Sequence, residues 1–264
     1  MVKEVLERLV RGELSLHEAE RLIRGLLSVE VVEGLARLDV WREARRSVPE
    51  IILATGKPVG VVVQLAARMA RTAGRALVSK AGPEHLKGVV EELGEGYEAK
   101  LYEASRLLVV KKPGFSVGRG GRVGILAGGV ADAGVVEEVE VVAREMGCEV
   151  FKSMDVGVAG LNRLREALSM LWEADVDVIV VVAGREGALA SVVAGLVDVP
   201  VIGVPTSMGE GLGGGGIAAL LSMLQACPLG LAVVNIDSGV NAGVVAALIA
   251  RRVGVVRQKL RAKH

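Results

Sequence analysis

The chain has 264 residues, of which 51% are hydrophobic and 24% charged, enough for one large or two smaller globular domains. The 32 Lys and Arg residues nearly balance the 31 Asp and Glu residues. The net charge of +1 therefore supplies no global field for binding nucleic acid or an acidic membrane surface.

Cysteine use and the N-terminus indicate the compartment. Cys148 and Cys227 are the two cysteines, too few for a disulfide framework in a chain of this length, which favours a cytoplasmic protein. The N-terminus is charged from its third residue, and no segment is expected to span a membrane. Three Asn and three Gln among many ionic residues are typical of heat-adapted proteins.

The first 112 residues are predicted to form an N-terminal domain. Two apolar helical stripes, with Ser15 and Glu18 forming a capping box at the second, predict a helical hairpin. From Pro49 onward, strand-like and helix-like periods alternate, which predicts a small α/β domain. Gly and Pro then concentrate in KPGFSVGRGG, so residues 113–121 are predicted to be a linker.

Residues 122–264 are predicted to form the second domain. Five apolar, β-branched strands alternate there with five helices. Uninterrupted apolar strands need cover on both faces, so the prediction is a doubly wound parallel five-stranded sheet of the flavodoxin-like kind. Ligands collect at the carboxyl ends of such strands, where AGGVAD, DVGVAGLNR, AGREGAL, PTSMGEGLGGGG and NIDSGVNAG follow.

A glycine-rich loop precedes the helix predicted from Ile217. It carries six glycines between Gly209 and Gly216, so its backbone N–H groups can approach phosphate oxygens. It matches neither the Walker A nor the dinucleotide-binding pattern. The alternative is a mobile surface lid, and the position at a strand's carboxyl end favours binding.

Two carboxylates and two thiols are candidates for chemistry. Asp155 and Glu186 are predicted to follow adjacent strands and to exchange protons in a cleft, with helix capping as the structural alternative. The pattern alone makes Cys227 a buried packing residue, because it follows a helix whose C-terminal dipole disfavours a thiolate. Cys148 opens a predicted strand and is also interpreted as packing.

A basic cluster and several absent motifs bear on the remaining functions. Arg42, Arg45, Arg46 and Lys57 are interpreted as a solvated surface, with phosphate binding as the alternative.

The second domain has no histidine before its last residue, so histidine acid or base catalysis is excluded there. HExxH and paired CxxC motifs are absent, which leaves no support for a preformed zinc site. A magnesium ion held by one carboxylate plus substrate phosphates remains compatible with the sequence.

These segments resemble a known family over nearly the whole chain. The matching stretches are LARLDVWREARRSVPEIILATGK, DVGVAGLNRL, AGREGALASVVAGL, VPVIGVPTS, GIAALLSML and AVVNIDSG with the preceding Cys227. They resemble the carboxylase/hydrolase of nickel-pincer nucleotide cofactor synthesis, whose second domain is similar to aminoimidazole ribonucleotide carboxylases. The resemblance implies carboxylation of nicotinic acid adenine dinucleotide and hydrolysis to pyridinium-3,5-biscarboxylic acid mononucleotide and AMP.

The resemblance also implies roles for residues. It assigns covalent catalysis to Cys227, which reverses the interpretation from the pattern, and makes Glu186 and Asp155 candidates for proton removal or for positioning magnesium and water. The candidates for substrate binding are Gly128, Asp132, Arg163, Ser207, Gly209, Gly211, Asn235 and Asp237. The implied cofactor is Mg²⁺ without biotin, the carboxyl donor is carbon dioxide or bicarbonate, and relatives of the second domain form octamers, which implies a homo-oligomer.

Two alternatives differ in what they expect of the site. An aminoimidazole ribonucleotide carboxylase or mutase would lack the N-terminal domain and carry a histidine in the loop corresponding to AGREGAL, where this chain has none. A non-catalytic nucleotide-binding protein on the same fold would bind its ligand unchanged.

Overall fold

The structure is a computed structural model that describes residues 2–27, 30–32 and 36–261. The chain divides into two compact units, Met1–Ser116 and Val117–His264. The division falls within the segment 113–121, where Gly and Pro interrupt the periodic pattern. The terminal histidine, His264, lies outside the described residues.

The first unit begins with two helices and continues into a mixed α/β layer. Its elements are α1 (Val2–Val10), α2 (Leu16–Leu27), β1 (Glu30–Val32), β2 (Ala36–Leu38), α3 (Arg42–Arg46), β3 (Ile51–Leu53), α4 (Val59–Ala73), β4 (Arg75–Ser79), α5 (Pro83–Leu93), β5 (Glu98–Tyr102) and β6 (Leu107–Lys111). The predicted helical hairpin and the alternation from Pro49 are confirmed.

Hydrogen bonds at the start of α2 confirm the capping box. The backbone N–H of Glu18 donates to Oγ of Ser15 at 3.2 Å, and the N–H of Ser15 donates to Oε2 of Glu18 at 2.9 Å. These reciprocal bonds satisfy two donors that the first helical turn leaves unpaired. The hydroxyl of Ser15 also donates to Oε2 of Glu18, at 2.7 Å, and the N–H and the hydroxyl of Ser15 together lower the pKa of Glu18 because both stabilise its carboxylate form.

The sheet of the first unit has the strand order β3-β4-β6-β5. β3 pairs parallel with β4, whereas β6 pairs antiparallel with both β4 and β5. β5 was not predicted, because its residues EAKLY are polar and lie on an edge that is only partly buried. The basic cluster is tied to carboxylates: Nε of Arg42 lies 2.8 Å from Glu50, and Arg45 pairs with Asp39.

The second unit alternates strands and helices throughout. Its elements are β7 (Arg122–Ala127), α6 (Ala133–Glu145), β8 (Glu149–Ser153), α7 (Leu161–Glu173), β9 (Val178–Ala183), α8 (Ala188–Ala194), β10 (Val201–Pro205), α9 (Ile217–Leu224), β11 (Leu231–Val233) and α10 (Gly239–Arg261). Short 3₁₀ turns precede α6, α7 and α9.

These five strands form one parallel sheet with the order β11-β10-β9-β7-β8. Numbered within the unit, this is the 2-1-3-4-5 order of flavodoxin-like folds, so the predicted fold class is confirmed. The chain reverses its direction of winding between β7 and β9. The carboxyl ends of these two strands therefore flank a crevice, the position where ligands bind in open α/β sheets.

Helices cover both faces of this sheet. α6 and α10 contact each other extensively on one face. On the other face, side chains of α7, α8 and α9 pack with the strands into one core that includes Leu168, Val193 and Met223. All six residues of β9 are buried, as the central position of this strand requires.

The last helix, α10, has 23 residues and is the longest element among the described residues. Within α10, the segment Gly239–Leu260 meets the length and composition test for a membrane span. Of the tested window, 39% is buried inside the protein, and the helix packs on α6 and on three strands. Core helices of soluble proteins meet the same test, so α10 is weak support for a membrane span.

Candidate functional site

A cleft opens at the carboxyl ends of the strands, at the crevice between β7 and β9. Its volume is about 360 Å³, and segments following β7, β8, β9 and β10 form its walls. The lining residues are Gly128, Gly129, Ala131, Asp132, Asp155, Gly157, Val158, Ala159, Arg163, Ala183, Gly184, Arg185, Glu186, Ala188, Leu189 and Met208. The structure thus brings the predicted residues Gly128, Asp132, Asp155, Arg163 and Glu186 into one cleft.

Asp132 is the buried acid of the cleft, with 4% of its surface exposed. The hydroxyl of Thr206 donates to Oδ1 of Asp132 at 2.7 Å, and the N–H of Gly129 donates to Oδ2 at 3.2 Å. Burial raises the pKa of Asp132, the two hydrogen bonds oppose that effect, and the nearby charge of Asp237 adds to it. A carboxyl group with a raised pKa in a cleft is suited to exchanging a proton.

Asp155 and Arg163 form an ion pair on the wall that follows β8. Asp155 has φ +58°, a left-handed conformation that Asp tolerates, and it turns the chain directly after the strand. About half of each side chain is exposed, so the pair contributes little to stability. Asp155 thereby orients the guanidinium group of Arg163 at the mouth of the cleft.

Glu186 lies on the opposite wall, after β9, where its side chain is exposed. The prediction that Asp155 and Glu186 follow adjacent strands is wrong, because β7 lies between β8 and β9 in the sheet. Sequence order does not reveal this arrangement, since the chain reverses its winding after β8. The two residues consequently line the cleft on either side of the end of β7.

The remaining predicted binding residues lie beyond the lining of the cleft. The N–H of Ser207 donates to Oδ1 of Asp237 at 2.9 Å, which joins the loops after β10 and β11. The N–H of Ile236 donates to Oδ1 of Asn235 at 2.9 Å, a local bond that competes with the strand ladder just after β11 ends. Ser207, Asn235 and Asp237 thus shape the loops beside Asp132.

The glycine-rich loop runs beside the cleft and ends at α9, which begins at the predicted Ile217. A Cβ on Gly209 would lie 3.2 Å from the backbone nitrogen of Arg185, so the loop approaches the segment after β9 closely. Gly211 has φ +73° and open space around it. Its conformation, rather than crowding, requires glycine there.

The two thiols have opposite surroundings. Cys148 is buried, and burial raises its pKa to about 11, which confirms its interpretation as a packing residue. Cys227 is exposed, so its interpretation as a buried packing residue is wrong. It lies between α9 and β11, at the amino end of the strands, and does not line the cleft. Glu186 and Asp155 line the cleft of this chain, whereas Cys227 does not.

Two family profiles match the chain. The family described as AIR carboxylase matches residues 122–264, more than half of the chain, and the LarB/PurE-like N-terminal domain matches residues 30–112. The chain belongs to the AIR carboxylase family. The pairing of these two domains confirms the family resemblance found in the sequence.

Two relatives agree with this assignment. The chain is 39% identical over 254 residues to an uncharacterized protein of Methanocaldococcus jannaschii, covering 95% of this chain and 97% of that protein. It is 29% identical over 128 residues to the N5-carboxyaminoimidazole ribonucleotide mutase of Thermotoga maritima, covering 48% of this chain and 74% of that enzyme. The family and the second relative support a carboxylase-related activity for the AIR carboxylase domain.

Three residues of the AIR carboxylase domain that border the site were not predicted from the sequence. Arg185 and Met208 line the cleft, and the hydroxyl of Thr206 donates a hydrogen bond to Asp132. Arg185 lies in AGREGAL next to Glu186 and has φ +48°. This loop therefore contributes a cation as well as a carboxylate to the lining of the cleft. The motif PTSM indicates the position of Thr206, because its hydroxyl residue directly follows the buried strand β10 and can donate a hydrogen bond to a neighbouring loop.

The carboxylates of the cleft do not form a metal cage. Among the described residues, no three His, Cys, Asp or Glu side chains are close enough together to hold a metal ion. Asp132 already accepts two hydrogen bonds, and Asp155 pairs with Arg163. This donor set fits a magnesium ion that takes one carboxylate and otherwise binds water and substrate phosphates.

Proposed function

We propose that this protein carboxylates the pyridinium ring of nicotinic acid adenine dinucleotide and hydrolyses its phosphoanhydride. The products would be pyridinium-3,5-biscarboxylic acid mononucleotide and AMP, for nickel-pincer cofactor synthesis in the cytoplasm. The observation that carries the proposal is the pairing of a LarB/PurE-like N-terminal domain with an AIR carboxylase domain whose AGREGAL loop lacks histidine.

The chemistry of the ring explains why a thiol is needed. The thiolate of Cys227 adds to the ring carbon para to nitrogen, which forms a carbon–sulfur bond and leaves a neutral dihydropyridine. The neighbouring carbon is then enamine-like and attacks carbon dioxide. Loss of the proton on that carbon and departure of the thiolate restore the aromatic cation. Water supplies the oxygen that cleaves the phosphoanhydride. These reaction steps therefore need no oxidant and no biotin.

The cleft offers groups for each proton and each charge. Glu186 is exposed at the wall and is the candidate base for the ring proton, while Asp132 is a buried acid whose pKa is raised by burial, which makes it a candidate for proton exchange. Arg163, oriented by Asp155, is positioned to meet a phosphate. Magnesium, when bound, would offset the charge of the phosphoanhydride.

Cys227 is the residue whose replacement tests this chemistry. We expect Cys227→Ala to lower both ring carboxylation and AMP release by at least about a thousandfold, because no other group can form the adduct. The measurement is mass spectrometry of the products from dinucleotide, bicarbonate and magnesium. Cys148→Ala is the matched control and should retain activity. Carboxylation that survives in Cys227→Ala would contradict the proposed chemistry.

A second candidate is suggested by the Thermotoga maritima relative. An aminoimidazole ribonucleotide carboxylase or mutase would convert aminoimidazole ribonucleotide in the presence of carbon dioxide, or its N5-carboxy form alone, and would not need Cys227. Offering these substrates beside the dinucleotide separates the two candidates by product mass. A dinucleotide that binds but is recovered unchanged would instead favour a non-catalytic binding protein.

A further inference from the structure

Two arginine side chains line the cleft of the second unit, and they differ in what they contact. Arg163, on the wall after β8, forms an ion pair with Asp155. Arg185, on the wall after β9, is exposed, and within residues 2–27, 30–32 and 36–261 its guanidinium group has no carboxylate partner. Arg185 therefore presents a positive charge that is available to an anionic group of a ligand.

The backbone around Arg185 fixes its place on this wall. The N–H of Gly187 donates to the carbonyl of Gly184 at 2.9 Å, which closes a turn with Arg185 and Glu186 at its centre. Arg185 has φ +48°, a left-handed conformation that is uncommon for a residue with a long side chain. A Cβ on Gly209 would lie 3.2 Å from the backbone nitrogen of Arg185, so the glycine-rich loop packs closely against this turn.

We propose that Arg185 binds the carboxylate on the ring of nicotinic acid and thereby selects the acid form of the dinucleotide over the amide form. The inference rests on the proposed function, because it concerns how that site recognises its substrate. A guanidinium group donates two parallel, charge-assisted hydrogen bonds to a carboxylate. A carboxamide is neutral and has one acceptor oxygen beside an NH₂ group that only donates. The amide form therefore loses both the charge and one of the two bonds.

The residue next to Arg185 favours the ring, rather than the phosphates, as its target. Glu186 is the candidate base for the ring proton, so in the proposed reaction the carbon that is carboxylated lies beside Glu186. The carbon that already bears a carboxylate is separated from it by a single ring atom. Consecutive α-carbons are about 3.8 Å apart, so two adjacent side chains of one turn can reach both positions of the ring.

The phosphates have a candidate partner on the opposite wall. Arg163 is oriented by Asp155 at the mouth of the cleft. Neighbouring strands lie about 4.8 Å apart, so the walls after β8 and β9, with β7 between them, are about 10 Å apart at the strand ends. One arginine on each wall suits a ligand whose carboxylate and phosphate are separated by a ribose.

A positive charge at this position also assists the carboxylation. Carbon dioxide adds a second carboxylate to a ring that already carries one, and like charges on one ring repel each other. Asp132 and Glu186 bring further acidic groups to the same cleft. A guanidinium group bound to the first carboxylate offsets part of this repulsion, so Arg185 acts both in recognition and in the reaction.

Direct binding of two small ligands tests the assignment without relying on turnover. Nicotinic acid mononucleotide and nicotinamide mononucleotide differ in the ring substituent and share the phosphate. In isothermal titration calorimetry, we expect the full-length wild type to bind the acid about tenfold to a hundredfold more tightly than the amide. Arg185→Gln should reduce this preference to about threefold or less, because it removes the charge and the paired donors.

Two further variants show what an effect on the ring carboxylate looks like. Arg163→Gln is the matched control, because it removes a cation of the same cleft whose expected partner is the phosphate. Both dissociation constants should therefore rise by a similar factor. Arg185→Lys keeps the charge and loses the paired geometry, so it should retain an intermediate preference for the acid. The urea midpoint of Arg185→Gln should match that of the wild type, since the side chain contributes no ion pair to the fold.

The outcomes separate this inference from the proposed function. A preference for the acid that disappears in Arg185→Gln would support the inference, even if the wild type leaves the dinucleotide uncarboxylated and the proposed function fails. A wild type that carboxylates the dinucleotide, with the same acid preference in Arg185→Gln, would do the reverse. Equal weakening of both ligands in Arg185→Gln would overturn the inference, because it would assign the side chain to the shared phosphate. A wild type without any preference would overturn it as well.

Discussion

At the scale of single residues, burial decides which of two identical side chains can react. Cys148 packs beside α10 with its Sγ 3.9 Å from the carbonyl of Ala247, and burial holds its pKa at about 11. Cys227 is exposed in the loop after α9. Because the thiolate is the reactive form, the burial and raised pKa of Cys148 and the exposure of Cys227 predict different reactivities for the two residues.

Alkylation should distinguish the two thiols. At pH 8, a pKa of about 11 leaves about one Cys148 side chain in a thousand as thiolate, and burial restricts access further. We expect iodoacetamide to modify Cys227 at least about a hundred times faster in the folded protein, with equal rates in denaturant. Peptide mass spectrometry measures both rates. Equal modification of the two residues in the folded protein would contradict this assignment.

Asp132 should make stability depend on pH. Its folded-state pKa is raised above the ordinary value of 3.8, chiefly by burial. Its contribution to stability is therefore fully present below that value and is lost as the pH rises through the raised pKa. A tenfold difference in the acid dissociation constant between the folded and unfolded states corresponds to about 1.4 kcal/mol. Urea unfolding of the wild type and Asp132→Asn from pH 4 to 8 should show the wild type losing stability relative to the variant. A difference that grows in favour of the wild type with pH would contradict the assigned direction.

At the scale of elements, the glycine-rich loop contains two positions that favour glycine for different reasons, the backbone conformation alone at Gly215 and conformation plus crowding at Gly216. Gly216 has φ +84° at the start of α9, and a Cβ there would lie 2.8 Å from Cγ2 of Ile236 and 3.0 Å from the carbonyl oxygen of Thr206. Gly215 has φ +66° with nothing within 4 Å. Both conformations favour glycine, but crowding exists only at Gly216.

Alanine at these two positions separates conformation from crowding. Gly215→Ala should cost about 1 kcal/mol of stability for the left-handed conformation alone. Gly216→Ala should cost about 2–4 kcal/mol, because its new methyl group also displaces the loop after β11. Urea unfolding of both full-length variants measures the difference. Equal losses would show that the contact with Ile236 is relieved at no cost.

At the scale of the whole molecule, a chain of this family presents an apolar face that the single copy leaves open. Leu229, beside Cys227, is 93% exposed, and Leu212, beside the cleft, is fully exposed. Neither leucine stabilises the unit that carries it through burial. The exposure of these two leucine side chains is explained if other copies of the chain cover them.

A charge at Leu229 tests the homo-oligomer that the family resemblance implies. If another copy of the chain covers Leu229, Leu229→Asp buries an unpaired carboxylate in that contact, so we expect a smaller assembly with the fold of the single chain intact. Light scattering after gel filtration measures the mass. Val90→Asp, at a half-exposed position on α5, is the control and should keep the wild-type mass. An unchanged mass for Leu229→Asp would place this leucine outside any interface between copies.

The sequence by itself determined the alternating strands and helices of the second unit, while the polar edge strand β5 of the first unit was not predicted. The strands of the second unit are apolar and β-branched with helical periods between them, and the capping box at Ser15 needs residues only three positions apart. These signals are local, so hydrophobic period and side-chain hydrogen bonding suffice to predict them. The family resemblance added Asp132, Arg163 and Gly128, which the structure gathers in the cleft.

Only the tertiary structure decided how the candidate residues meet. The bond between Thr206 and Asp132 joins residues 74 positions apart, and the raised pKa of Asp132 follows from burial that no local pattern reports. The strand order separates Asp155 from Glu186 by β7, and the return of α9 along the sheet carries Cys227 to the far end. Both outcomes depend on the direction in which the chain winds between distant strands, because long-range packing selects that direction and a sequence window of a few residues does not contain it.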